Sequence, residues 1–266
     1  MIVLKVGGKS LANLERYLVS DLAIISQREK IVLVHGGADE VSELANKMGK
    51  KQRFVTSPEG IRSRYTDEED MRIYLMVMAG LLNKRTVMAL QKGGIKAIGI
   101  SGTDGPTLLA SRKTRIIVLD ERGRKVVIDG GYTGKIESVN TSLLSLLLND
   151  GYLPVVSPVA LGRDFEPLNV DSDSVASHLA INLQADCLLL LTDVEGLKVN
   201  EKVIDRIRVS EVDSLLPNLG FGMNRKILEA KRAVDSGVKE VMISPSYVNN
   251  PVLRAIGHET GTVISR

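Results

Sequence analysis

Short runs of aliphatic and β-branched residues alternate along this chain with segments in which apolar residues recur at helical spacing. The first run, Ile2–Val6, predicts a buried strand, and the similar run over residues 30–35 predicts a second one. Between them, residues 14–28 have the spacing of a helix that buries one face, with Leu14, Leu18, Leu22 and Ile25. Strand, helix and strand form a βαβ unit, so the pattern predicts an α/β fold with a mainly parallel sheet.

The alternation continues through the chain. A capping box of Thr66 and Glu69 predicts the start of a long helix ending at Gly93-Gly94, with apolar positions spread widely enough to face both the core and a partner helix. In the first part of the chain the pattern also predicts a helix over 39–48, a strand over 95–100 and a hairpin from 115 that turns near 122–123. A leucine-rich buried helix over 141–148 and a strand over 153–159 follow. The second part has a helix capped by 169–173 that runs to about 184, a strand over 187–191 and a helix entered through 220–226 that ends at 236–237.

Length and composition narrow the class. The 266 residues allow one large α/β domain or two lobes, and without a repeat or a Pro-rich linker any two lobes are expected to be fused. No apolar run approaches the roughly 20 residues of a membrane span, and charged residues and glycines interrupt the N-terminal stretch before it reaches signal-peptide length. The single cysteine, Cys187, fits a reducing compartment and is predicted to be a buried small hydrophobe, so we expect a cytoplasmic protein.

Charge and aromatic content limit the partners. The net charge of +3 is compatible with an acidic partner or substrate but too small to indicate nucleic acid. Three Phe, six Tyr and no Trp also argue against a base-stacking surface. Three scattered histidines and one cysteine do not form a zinc set.

Glycine pairs follow the first two strands. Gly7-Gly8 and Gly36-Gly37 would lie at the carboxyl ends of neighbouring parallel strands, where open α/β sheets bind ligands, and paired glycines let backbone N–H groups approach an anion. Lys5 lies inside the first strand, where a charge is costly without an anionic partner. Taken alone, a strand that ends in an ordinary turn explains the first motif equally well.

Three later segments add polar groups. Two carboxylates lie within 169–173 at a helix start, where the cap explains one and the second suggests the edge of a site. The loop 192–196 follows the next strand. The glycine-rich segment 220–226 leads into a helix and places Lys226 near its N-terminus, and such a helix start can bind an anion. Arg62 and Arg64 are either carboxylate ligands or solvated loop residues.

Together these features suit phosphoryl transfer, in which charge neutralisation and alignment do most of the work. An alcohol acceptor would usually need a general base, whereas a carboxylate, with a pKa near 4, is already ionised. A carboxylate acceptor needs relief from repulsion by the γ-phosphate, which lysines and backbone N–H groups supply.

At these residues the chain resembles the amino acid kinase family and, within it, the acetylglutamate kinase branch. The resemblance spans essentially the whole length, through segments 5–8, 35–37, 60–67, 169–173, 192–197 and 222–226 in order. It implies a three-layer αβα sandwich of two fused lobes, about 1–168 for the acyl substrate and dimerisation and about 169–266 for the nucleotide.

The resemblance also implies residue roles. Lys5 and Lys226 would neutralise the transferring phosphoryl group, and Asp173 would hold both lysines. Arg64 and Asn169 would grip the α-carboxylate of an amino-acid substrate. N–H donors to the phosphoryl group and the acceptor would come from the glycine loops: Gly7, Gly8, Gly36 and Gly37. ATP would bind at Thr192, Asp193, Val194, Gly196, Leu197, Gly222 and Met223, with Mg²⁺ on its phosphates and no metal ligand from the protein.

Tyr65 and the segment 130–135 with Tyr132 look like the members that act on a carrier protein. Those members phosphorylate the side-chain carboxylate of L-2-aminoadipate, or of L-glutamate, attached through its amino group to a small acidic protein in lysine and arginine biosynthesis. The loop cations suit such a partner, although a solvated surface explains them too: Lys50, Lys51, Arg53, Arg122, Arg124 and Lys125.

Two alternatives stay open: an N-acetylglutamate kinase that acts on the free small molecule, and an inactive nucleotide-binding regulatory or storage protein on the same fold. The presence of Lys5, Asp173 and Lys226 argues against the inactive protein. Arginine-responsive members carry an extra N-terminal helix, whereas the first strand here begins at residue 2, so a homodimer without arginine feedback is expected.

Overall fold

The computed structural model describes residues 1–11, 14–58, 60, 62–200 and 202–266, with their side chains apart from those of Glu15, Arg16, Asn218 and Phe221. Eight strands form its central sheet. From edge to edge they are β16 (Arg206–Arg208), β18 (Thr262–Ser265), β17 (Glu240–Pro245), β13 (Cys187–Thr192), β1 (Ile2–Val6), β2 (Ile31–His35), β10 (Leu153–Ser157) and β5 (Ala97–Ser101).

The six strands from β17 to β5 are parallel, and β18 with β16 runs antiparallel to them at one edge. The central strand β1 is followed in sequence by its neighbour on one side, β2, and much later by its neighbour on the other, β13. The carboxyl ends of these three strands therefore meet at a point where the strand order reverses, which is where open α/β sheets bind ligands.

Helices cover both faces of the sheet. They are α1 (Gly8–Leu11), α2 (Leu14–Tyr17), α3 (Val19–Ile25), α4 (Ala38–Lys47), α5 (Glu68–Leu75), α6 (Asn83–Lys92), α7 (Ser142–Asn149), α8 (Ser172–Asn182), α9 (Val212–Leu215), α10 (Phe221–Asp235) and α11 (Pro251–Ile256). A π-helical segment, Met76–Leu82, joins α5 to α6, and 3₁₀ turns cover Val209–Glu211 and Leu216–Asn218.

Two apolar cores lie on opposite faces of the sheet. One contains buried residues of α7, α8 and α10, and the other contains buried residues of α2, α3, α6 and α11. Successive side chains of a strand alternate between the faces, so Val3 packs in the first core while Ile2, Leu4 and Val6 pack in the second. The predicted three-layer αβα sandwich is confirmed.

Smaller sheets extend past the carboxyl edge. One contains β12 (Pro167–Asn169), β11 (Val159–Leu161), β6 (Leu108–Arg112) and β9 (Gly134–Val139), and another contains β4 (Arg62–Arg64), β3 (Phe54–Thr56), β7 (Arg115–Leu119) and β8 (Lys125–Asp129). A hairpin pairs β14 (Lys198–Val199) with β15 (Lys202–Val203). Because β11 follows β10 after Pro158, the first of these sheets lies beyond the end of β10.

Several predicted boundaries were wrong for identifiable reasons. The helix over 14–28 divides into α2 and α3 around Leu18, although all four predicted core residues are buried. The strand over 153–159 divides at Pro158, which has no N–H to donate to a ladder. The capping box lies one residue later, because Asp67 caps α5 with Asp70 as its partner while Thr66 is buried. The leucine-rich helix buries Leu144 and Leu148 and leaves Leu146 exposed.

The expectation that no segment could span a membrane has one exception. The continuous helical segment Glu68–Lys92 is long and apolar enough by length and composition. Its most apolar window is 56% buried within the protein, as in an ordinary core helix.

Candidate active site

The sheet directs Lys5 into the layer of α8. Lys5 lies two residues after Val3 in β1, so its side chain faces the same core as Val3. The Lys5 residue is 6% exposed. A lysine at this depth requires an anion beside it.

Asp173 supplies that anion. Asp171 caps α8 by accepting hydrogen bonds from the backbone N–H groups of Asp173 and Ser174, which leaves the Asp173 side chain free. Asp173 Oδ1 lies 2.9 Å from Lys5 Nζ, and Asp173 Oδ2 lies 2.7 Å from Lys226 Nζ. Lys226 comes from the second turn of α10, so three predicted catalytic residues from distant parts of the chain form one cluster, called here the reaction centre.

The reaction centre shifts the pKa of each of its members. Burial alone would raise the pKa of Asp173, but the two ammonium groups outweigh burial and hold that pKa well below its ordinary value. Burial would lower the pKa of Lys5, yet Asp173 outweighs it and the pKa is raised. Burial and the neighbouring Lys5 charge lower the pKa of Lys226. With both lysines protonated the cluster carries one net positive charge, available to an anion.

The two glycine loops pack backbone against backbone beside this cluster. A Cβ at Gly8 would lie 2.9 Å from Gly37 Cα, and a Cβ at Gly37, where φ is +151°, would lie 2.0 Å from Leu82 Cδ1. A side chain at Gly8 would force the two loops apart, and one at Gly37 would collide with Leu82, so both positions favour glycine.

The loops differ in which N–H groups they leave available. Gly36 N–H donates to Val6 O and therefore extends the sheet, while Gly7 O accepts from Ser10 and Leu11. Within the described part of the chain, the N–H groups of Gly7, Gly8 and Gly37 have no acceptor. Of the four glycines predicted to contribute donors, Gly36 is the one whose N–H is used within the sheet.

A cavity of about 650 Å³ opens on one side of the reaction centre, lined by Gly37, Arg64, Asn169 and Asp171 among others. We call it the acceptor cavity. Arg64 Nη2 donates to Ala38 O and Ser42 Oγ, at 2.7 and 2.8 Å, while its buried Nη1 has no partner among the described residues. Asn169 Nδ2 donates to Thr66 Oγ1. An unpaired buried guanidinium nitrogen is suited to a carboxylate.

The acceptor cavity also has cationic walls that the sequence interpretation missed. Of its described lining residues, six are cations and two are carboxylates: Arg62, Arg64, Lys113, Lys135, Arg225 and Arg232 against Asp171 and Glu229. Burial and the charges of Arg225 and Lys135 lower the pKa of Lys113. Lys135 lies in a segment singled out for Tyr132 alone, so a signal existed for it, whereas nothing in the sequence places Lys113 beside Arg225.

A second cavity of about 460 Å³ opens near the carboxyl end of β13. Its lining includes the predicted nucleotide-binding residues Asp193, Val194, Gly196 and Met223, together with Tyr247, which the sequence interpretation missed. The helix α10 contributes Met223 to this cavity, Arg225 to the acceptor cavity and Lys226 to the reaction centre. The reaction centre therefore lies between the two cavities.

Three residues predicted for the nucleotide lie apart from that lining. Thr192 is buried at the end of β13, and its hydroxyl donates to Asp193. Leu197 is fully buried, and its N–H donates to Thr262 Oγ1. Gly222 lies in the first turn of α10 with open space around it. A group of three His, Cys, Asp or Glu side chains able to hold a metal ion is not found in the described residues.

Comparison with known proteins identifies the family of the chain. The model of the amino acid kinase family matches residues 1–244, and the chain belongs to that family. It is 47% identical over 266 residues to the LysW-aminoadipate/LysW-glutamate kinase of Sulfolobus acidocaldarius, covering 99% of this chain and all of that one. It is 46% identical to the protein of the same name from Metallosphaera sedula, covering both chains completely.

A solved structure shows the same fold. The crystal structure of smu.665 from Streptococcus mutans UA159 matches with a TM-score of 0.81 at 23% identity, over 99% of this chain and 98% of that one.

Proposed function

We propose that this protein is an ATP-dependent kinase that phosphorylates the side-chain carboxylate of L-2-aminoadipate attached through its amino group to a small acidic carrier protein. We include carrier-linked L-glutamate as a second substrate, because an apolar pocket discriminates one methylene by only about 1–3 kcal/mol. The single observation that carries the proposal is the reaction centre, which lies at the end of a cavity with cationic walls. The names of the relatives, in which aminoadipate and glutamate are joined to LysW, support a carrier-linked substrate.

In the proposed reaction a carboxylate oxygen attacks the γ-phosphorus of ATP and the bond to the β-phosphate oxygen breaks, giving an acyl phosphate and ADP. No proton has to be removed from the acceptor, since the carboxylate is ionised. Two unit charges about 4 Å apart repel by roughly 4 kcal/mol at an effective dielectric of 20. Lys5, Lys226 and the N–H groups of Gly8 and Gly37 offset this repulsion where the charge develops.

The remaining residues bind and orient. Arg64 and Asn169 hold the α-carboxylate of the acceptor, and Asp193, Val194, Gly196 and Met223 bind the nucleotide. Magnesium would bind to the ATP phosphates, where it screens their charge. In this proposal the first lobe, about 1–168, binds the acceptor and the second, about 169–266, binds the nucleotide.

The acceptor cavity supports a macromolecular carrier. Lys113, Lys135 and Arg225 line the same cavity as Arg64 and Asn169, and Asp171 pairs with Arg225 at 2.7 Å. An acidic segment that connects the amino acid to its carrier would meet this excess of cations. Among the loop cations predicted to face a partner, Lys50 is instead committed to Asp67 and Glu69.

Acyl phosphate formation, trapped as a hydroxamate, tests the proposal. Carrier-linked aminoadipate, carrier-linked glutamate, free N-acetylglutamate and the unloaded carrier are the four substrates to compare. We expect turnover with the two carrier-linked amino acids. Turnover of N-acetylglutamate alone would assign the chain to N-acetylglutamate kinase instead.

A matched pair of variants tests the role of the cavity wall. Lys113→Ala should raise KM for the carrier-linked substrate, whereas Lys125→Ala, on the exposed hairpin of β7 and β8, should leave it unchanged. The reverse result would place the carrier on the hairpin.

We also propose a homodimer formed through the helical segment Glu68–Lys92. Its outer face leaves large apolar side chains exposed: Leu75, Met76, Leu81 and Met88. A row of four such residues is larger than the scattered exposure of an ordinary surface and fits a second copy. Met76→Glu with Met88→Glu should convert the dimer to monomer in sedimentation experiments, and an unchanged mass would refute this interface.

A further inference from the structure

A buried polar chain holds the loop of Gly36 and Gly37 from behind. His35 Nδ1 lies 3.0 Å from Gly36 O, and His35 is completely buried. Because a carbonyl oxygen only accepts, Nδ1 must carry the proton, which leaves Nε2 as an acceptor. Nε2 faces Asn83 Nδ2 at 3.4 Å, and an amide nitrogen is a donor. Burial lowers the pKa of His35 to about 4, which keeps the ring neutral near pH 7.

The contacts of Asn83 fix the orientation of its amide. Nδ2 donates one proton to Val155 O at 2.9 Å, and its second proton is shared between Ile100 O at 3.3 Å and His35 Nε2 at 3.4 Å, all of which are acceptors. Asn83 therefore connects the strands β2, β10 and β5. It also follows the π-helical segment directly, whose last residue, Leu82, packs against Gly37. One turn of helix thus supports both His35 and Gly37.

Peptide geometry links this support to the reaction centre. The carbonyl of Gly36 and the N–H of Gly37 belong to one planar trans peptide and point in opposite directions. A donor that holds Gly36 O on the buried side therefore directs Gly37 N–H away from His35. A Cβ at Gly8 would lie 3.1 Å from Gly37 N, so this N–H group lies beside the other glycine loop.

We infer that His35 is a positioning residue for phosphoryl transfer: its neutral ring anchors the Gly36 carbonyl so that Gly37 N–H faces the reacting anion, and Asn83 holds the ring in place. The identity of that anion rests on the proposed function. The orientation of the peptide does not.

Two substitutions separate this role from simple packing. The amide of His35→Asn reaches the position of Nδ1 and keeps a donor to Gly36 O, whereas the amide of His35→Gln reaches the position of Nε2 and leaves that carbonyl unanchored. Removal of a preorganised donor typically lowers kcat by about 10²–10³-fold. In His35→Gln the donor is misdirected but still present, so we expect kcat to fall by about 10–100-fold while KM for ATP stays within about twofold of wild type. In His35→Asn we expect kcat to stay within about threefold of wild type.

His258→Gln, the same change at an exposed histidine, controls for the substitution and should leave kcat unchanged. Wild-type kcat in His35→Gln would overturn the inference. The inference would also be overturned if kcat fell equally in His35→Asn and His35→Gln and if this fall matched the decrease in their melting temperatures.

NMR tests the geometry without an assay and without a variant. The ¹⁵N shifts of the His35 ring in the wild-type protein should show the tautomer protonated at Nδ1, and the tautomer protonated at Nε2 would refute the inference even if no His35 variant folds. If wild-type protein turns over none of the four acceptors, the proposed function fails, while this measurement still decides the position of the proton.

Discussion

Two groups of cations lie at the carboxyl edge of the sheet, and they are balanced differently. In the reaction centre, Asp173 contacts both Lys5 and Lys226, and the burial of Lys5 and Asp173 makes the arrangement costly to disturb. In the acceptor cavity, six cations face two carboxylates, and the buried Nη1 of Arg64 has no partner in the described chain. The first group is held in place by Asp173 before substrate binds and keeps one net positive charge, whereas the second has a larger excess of positive charge that an anionic substrate would neutralise.

In the proposed function this difference separates catalysis from recognition. A preformed set of charges in a dry site acts on the transition state, because it needs no reorganisation when charge develops. A half-exposed, unbalanced set acts on encounter and affinity and responds to salt.

Lys226→Met should lower kcat by about 10³-fold or more, because it removes a charge expected to contact the transferring phosphoryl group. Folding should survive, since Asp173 keeps Lys5 as its partner. Hydroxamate kinetics and a melting curve measure the two effects. Lys47→Met, on the exposed face of α4, is the matched control and should leave both unchanged. Normal turnover in Lys226→Met would remove Lys226 from the catalytic residues.

Asp173→Asn should cost about 3–5 kcal/mol of folding free energy, because the buried Lys5 and the partly buried Lys226 lose the carboxylate that contacts both of them. Urea denaturation measures this loss. Adding Lys226→Met to Asp173→Asn should recover part of the stability, since one of the uncompensated charges is then gone. If the double variant is less stable than Asp173→Asn alone, the lysines are stabilised by something other than Asp173.

Features of the site that depend on local sequence could be predicted, whereas contacts between distant segments could not. The run Ile2–Val6 and the pattern around 187–191 gave correct strands because both faces of the sheet are buried, so the strands are continuously apolar. Asp173 was found because a helix needs one carboxylate cap and the chain has two. The elements after residue 237, β17, α11 and β18, were not predicted, although they complete one edge of the sheet.

What the sequence could not supply were contacts between segments brought together only by folding. Lys113 meets Arg225 because β6, β9 and α10 converge on one cavity, and neither local spacing nor composition records that convergence. The N–H of Gly36 is not available to a ligand because it donates to Val6 O in the strand pairing. The sequence of a glycine pair does not show which of its N–H groups is used in this way. The family resemblance supplied the roles of Lys5, Asp173 and Lys226, and the geometry supplied the cationic wall.

Arg64→Lys should lower kcat/KM for the acceptor by about 10–100-fold, mainly through KM, because a lysine cannot keep the bonds to Ala38 and Ser42 and also offer the donor that Nη1 supplies. Steady-state kinetics with the acceptor varied at saturating ATP measures the change. Arg72→Lys, on an exposed face of α5, serves as the control. A loss confined to kcat would instead place Arg64 among the groups that act on the transition state.

The salt dependence of KM and kcat should distinguish the two groups of cations, and it is the smallest of the effects predicted here. Raising the ionic strength from about 0.01 to 0.15 M shortens the screening length from about 30 to 8 Å, which weakens the attraction between the acceptor cavity and an acidic carrier. We expect KM for the carrier-linked substrate to rise several-fold, while kcat stays within about twofold because the reaction centre is buried. Lys113→Ala should reduce the salt dependence of KM, since one of the screened charges is absent. A salt effect on kcat that equals the effect on KM would show that solvent ions reach both groups, and the proposed separation of recognition from catalysis would then be lost.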